Sequence, residues 1–157
     1  MNKVLIILAI LFITNIEFAK GNNQENSTLF KIETTEDSIR LVELDNFWSQ
    51  LTQTVQEGDF EGYKELYHND AVLVYSGGDN KKSMPISKAL AAWEKGFTNT
   101  RAGKQNDSVE FRFSERIGDD STAHETGIFI FTSIDNQGNV KAKYITHFEM
   151  LFLKKDN

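Results

Sequence analysis

Two short stretches hold the side chains best suited to proton chemistry, His124-Glu125-Thr126 and Thr146-His147-Phe148-Glu149. Each lies in a run where apolar and polar residues alternate. An imidazole beside a carboxylate can hold or pass a proton near neutral pH, because histidine titrates near ~6.5 and a neighbouring carboxylate favours its charged form. Residues two apart on a strand share a face, so His147 and Glu149 point the same way. If Asn136-Gln137-Gly138 is a three-residue loop, Asp135 pairs with Asn139. Gly127 then lies opposite His147, and Glu125 opposite Glu149. A two-residue loop instead sets His124 opposite Glu149 and Thr126 opposite His147. Either register gathers a His–Glu cluster suited to general acid–base work, with His147, Glu149 and His124 as candidate catalytic residues. On a solvent-facing sheet side the same residues are ordinary surface groups or a structural hydrogen bond. Two histidines and two glutamates could ligate zinc, but no compact ligand motif is present and no metal site is expected. No phosphate loop, nucleophile elbow or Ser–His–Asp order occurs, and no cofactor is expected.

The positioning elements follow from periodicity. Ile39, Val42, Phe47, Leu51 and Val55 recur at mostly helical spacing, with Leu44 and Trp48 widening the face of a long amphipathic helix that begins near Glu36. Gly58 stands where a C-terminal cap belongs, and Asp59 can cap a shorter helix carrying Phe60, Tyr63, Leu66 and Tyr67. Ala71 to Tyr75 reads as a strand ended by the turn Gly77-Gly78-Asp79-Asn80. Pro85 suits the first turn of a third helix, with Ile86, Leu90 and Trp93 on its apolar face and Gly96 as its stop. Asn99 to Asp107 reads as a loop. From Val109 the period becomes two, giving three long strands: one through Phe111 and Phe113, one from Thr122 to Ser133, and one from Lys141 to Leu153. Helices first and an antiparallel meander after them indicate an α+β domain with helices on one sheet face.

The N-terminus bears on compartment. Asn2 and Lys3 precede the unbroken apolar run Val4 to Ile13, and Ala19-Lys20-Gly21 offers small residues at −3 and −1 of a cleavage site. This is a signal-peptide pattern, and the run is shorter than the roughly 20 residues a bilayer span needs. The expectation is residues 1–21 as signal peptide, 22–35 as a flexible leader and 36–157 as one domain, secreted or periplasmic after cleavage near Gly21. The mature protein would have no membrane span. There is no cysteine, which excludes thiol catalysis, zinc knuckles and iron–sulfur ligation. The net charge of −6 disfavours nucleic acid and anionic membrane surfaces as partners.

The stretch Glu57-Gly58-Asp59-Phe60-Glu61-Gly62-Tyr63, followed by Leu66-Tyr67-His68-Asn69-Asp70-Ala71-Val72-Leu73-Val74, resembles the opening of a nuclear transport factor 2-like domain, more narrowly the SnoaL-like group. The Ala89-Leu90-Ala91-Ala92-Trp93 helix and the three long strands follow in family order, so the resemblance covers about residues 37–156. It implies a curved antiparallel sheet wrapped around the long helix, leaving a conical pocket. Members include isomerases, cyclases, dehydratases and hydrolases, and many non-catalytic binding or dimerisation modules. By the resemblance, a ketosteroid isomerase's catalytic Asp falls at Tyr75 and its oxyanion-stabilising Tyr at Leu51. Leucine cannot donate a hydrogen bond and a phenol is a poor base at neutral pH, so that mechanism is rejected. Trp48, Tyr75, Trp93, Arg112 and Glu125 are candidate pocket-lining residues. Arg112 and Arg116, on one face of their strand, would bind an anionic or carbonyl ligand inside a cone. Outside it they are cross-strand partners. Family members usually continue past Lys154-Lys155-Asp156-Asn157 into a final strand. Without it the edge of the Lys141–Leu153 strand is bare, and a homodimer through that edge is expected. The functions implied are binding of a small apolar or amphipathic molecule, a lyase, isomerase or cyclase using a His–Glu pair, or a dimerising interaction module.

Overall fold

The computed structural model describes residues 4–10, 35–76 and 81–154. The proposed cleavage site, the residues of the leader before Thr35 and the Gly77–Asn80 turn lie outside the described residues. The elements are β1 (Val4–Ile10), α1 (Thr35–Glu57), α2 (Phe60–Glu65), β2 (Val72–Tyr75), β3 (Lys82–Pro85), α3 (Ile86–Arg101), β4 (Gln105–Gly118), β5 (Thr122–Asp135) and β6 (Val140–Lys154). They form one curved, open sheet in the order β3-β2-β1-β6-β5-β4, antiparallel except where β1 runs parallel to β2. The helices gather against it, α1 over β4 and α3 over β2, β3 and β4.

α1 turns a different face to the sheet than its apolar spacing suggests. Leu44, Trp48 and Leu51 are buried and Phe47 and Val55 pack against them, but Ile39 and Val42 are exposed. The buried residue of the first turns is Arg40, bonded to Asp37 at 3.0 Å. The helix ends as expected: Gly58 takes φ +67°, and its N–H reaches the Val55 carbonyl. A Cβ there would lie 2.5 Å from the Arg101 nitrogen, so glycine also lets the ends of α1 and α3 meet. The Asp59 carboxylate accepts the Gly62 N–H and opens α2.

Gly96 does not stop α3, which continues to Arg101 and ends at Gly103, φ +66°. The segment from Asn99 to Asp107 is therefore helix end, short turn and strand start rather than loop. Pro85 closes the four-residue strand β3 and caps α3, a position that needs no backbone donor. In the full chain β1 pairs antiparallel along the edge of β6, with Ile7 opposite Leu151 and Leu5 opposite Leu153. The apolar, β-branched run read as the core of a signal peptide suits a strand flanked on both sides.

Candidate functional site

The β5–β6 hairpin turns as the three-residue reading requires, with Asp135 N–H bonded to the Asn139 carbonyl at 2.9 Å. A β-bulge then intervenes: Ser133 pairs with Ala142 but Ile134 with Val140, leaving Lys141 as the extra residue. A one-residue slip exchanges faces. Glu125 therefore lies opposite Met150, His147 opposite Ile128, and Glu149 opposite Thr126. The expected cluster of Glu125, His147 and Glu149 does not form. His124 and Glu149 meet on the outer face, Nε2 to Oε1 at 2.6 Å, each partly exposed. His147 is exposed on that same face.

Glu125 points inward and is fully buried. One carboxylate oxygen accepts the Trp48 indole N–H at 2.5 Å, and the other accepts from Arg116 Nε. Arg116 also donates to Asp45 at 2.7 Å and lies over the Phe113 ring. Burial opposes the Arg116 charge, but the hydrogen bonds to Glu125 and Asp45 outweigh it and push its pKa up. The network joins α1 to β4 and β5 and fixes the Trp48 ring. A second bulge in β4, between the Phe113 and Glu115 pairs, separates the two arginines. Arg116 turns inward, while Arg112 is exposed and bonded to Glu110, which removes Arg112 from the pocket.

Between the helices and the concave sheet face lies a cavity of about 800 Å³. Of the candidate pocket residues, Trp48, Tyr75 and Trp93 line it and Arg112 and Glu125 do not. Aromatic rings are the largest group in the wall, with Phe111 and Phe148 packed on the Trp48 ring at 4.4 and 5.3 Å between centroids. Leu51, the position where the isomerase phenol would fall, is also lining.

The sequence reading missed the polar part of the wall. Tyr67 donates to the Tyr63 hydroxyl at 2.8 Å, leaving the Tyr63 proton free to donate. Burial pushes Tyr63 up to about 12, partly offset by the Tyr67 bond, and raises Tyr67 well above the usual tyrosine range. Gln105 and Asp107, placed in a loop by sequence, are the first inward residues of β4. The alternation of Val109, Phe111 and Phe113, extended backwards by two steps, is the signal that would have found them. Lys141, the bulge residue, reaches Gln105 Oε1 at 3.3 Å.

The tyrosine pair predicts an alkaline limit. Below pH 10 the folded and unfolded chains both keep the Tyr63 proton; between 10 and about 12 only the unfolded chain releases it. Stability therefore falls as pH rises through that window, by up to about 3 kcal/mol from Tyr63. Tyrosinate absorbance should show two of the four tyrosines ionising late, together with loss of fold. All four ionising near pH 10 with the fold intact would contradict this.

No family model and no curated protein matches the chain. Among solved structures, a conserved protein from Planctomyces limnophilus superposes with TM-score 0.57 at 13% identity, over 75% of this chain and 86% of that one. A protein from Catenulispora acidiphila gives 0.53 at 13% identity, over 74% and 87%. A Catenulispora acidiphila structure in complex with S-DNPA gives 0.53 at 12%, over 74% and 89%. At such identities likeness shows the fold alone, and that fold, a curved sheet closing over a long helix, is the nuclear transport factor 2-like cone.

Proposed function

We propose that this protein is a binding module that holds a small apolar or amphipathic molecule in its cone, without turnover. The observation carrying this reading is the open cavity of about 800 Å³, walled by aromatic and aliphatic side chains and broken by a few polar groups. That size and lining suit small-molecule sites. The enzyme reading draws less support, because His124 and Glu149 pair on the sheet's outer face and do not line the cavity.

We also propose that the protein is exported, on its N-terminal pattern. Among the described residues no helix is long and apolar enough to cross a membrane. If processing removes β1, the edges of β2 and β6 lose their partner strand, and that form is expected to associate into a homodimer. Native mass spectrometry of exported material reads both proposals. One bound small molecule per chain and a dimer mass in protein starting near Asn22 are expected. An empty chain that also fails to take up 1-decanol would overturn the binding reading, and a strictly monomeric processed chain the dimer.

A further inference from the structure

The cavity's polar corner is built from the start of β4. Gln105 and Asp107 lie two apart and share the inner face. Asp107 is 8% exposed. Its Oδ2 accepts the Gln105 amide N–H at 2.8 Å, and Gln105 in turn accepts from Lys141. Lys141 is thus directed to a neutral carbonyl, and Asp107 Oδ1 is buried with no hydrogen-bond partner among the described residues. A buried acceptor without a donor is costly, more so on a carboxylate, and native structures keep few of them. Opposite stands α3, where Gly96 leaves open space: among the described residues a Cβ there would approach only Asp107 Oδ2, at 3.9 Å. Trp93 and Phe97 flank that gap and line the same cavity. Asp107 itself lines that cavity, so its carboxylate borders the space a ligand would fill.

We propose that Asp107 is the polar anchor of the cavity and selects a cationic amphiphile, a protonated amine on an apolar body. This rests on the cavity being a small-molecule site. The ammonium group adds a donor to a buried carboxylate bonded by only the Gln105 amide among the described residues, and forms a charge-assisted hydrogen bond. The faces of the surrounding rings attract a cation, and the net charge of −6 draws cations toward the protein.

Three probes of equal chain length test the assignment: decylamine, 1-decanol and decanoate, each titrated below its micelle concentration against the full chain. Both tryptophans line the cavity and report binding by fluorescence. Decylamine is expected to bind about tenfold or more tighter than decanoate, with 1-decanol between them. Asp107→Asn should weaken decylamine about tenfold and leave 1-decanol within about threefold. The order of the probes on the unaltered chain tests the idea even if the variant folds poorly. Equal binding of all three, tighter decanoate, or an unchanged amine preference in Asp107→Asn overturns the proposal and leaves the cavity reading standing. No binding by any probe overturns both.

Discussion

Replacing Glu125 with alanine is expected to remove about 3–5 kcal/mol of folding stability, the usual cost of breaking a buried ion pair from one side. Glu125 is 0% exposed and both its oxygens are engaged, by the Trp48 indole and by Arg116. The alanine variant strands a guanidinium whose other partner, Asp45, sits in a more polar setting, and leaves the indole N–H without an acceptor. Glu149→Ala provides the contrast. It also removes a glutamate bonded to another side chain, but His124 and Glu149 are partly in water, where such pairs contribute about 1 kcal/mol or less. Urea titration of the two variants separates the roles. Similar small losses in both would mean that the Glu125 network does not hold α1 to the sheet.

Gly96→Phe should separate binding from stability. The glycine lies within α3, where it costs the helix up to about 1 kcal/mol relative to a good helix former. It faces the cavity with almost nothing near its missing Cβ. Phenylalanine there projects into the space that a ligand would fill. The expected result is about tenfold or more loss of 1-decanol affinity, with an unfolding midpoint equal to or slightly above that of the parent chain. Unchanged affinity would place the ligand elsewhere.

Much of the fold was legible because its signals are local. The Gly58 and Asp59 caps, the hairpin glycine and the alternation of Val109, Phe111 and Phe113 each have a mechanism within a few residues, and each appears in the structure. The site was less legible because it depends on two bulges. Lys141 in β6 and Ser114 in β4 are single extra residues that invert every later face assignment. Counting from the turn alone put Glu125 beside His147 and Glu149. The bulge turns it inward to Trp48 and Arg116, and it brings Lys141 to Gln105. Strand β3 was missed because four residues bounded by lysine and proline carry no alternation. The buried Arg40 on α1 was missed because Ile39 and Val42 offered a more apolar face, and tertiary packing overrode that pattern.

The central claim is that the cone holds a small molecule among its aromatic rings. Intermolecular nuclear Overhauser effects between isotopically labelled 1-decanol and the protein test it most directly. The account predicts contacts from the alkyl chain to the rings of Trp48, Trp93 and Phe148, which line the cavity. Contacts confined to outer-face residues such as Ile145 and His147, or none at saturating ligand, would contradict it.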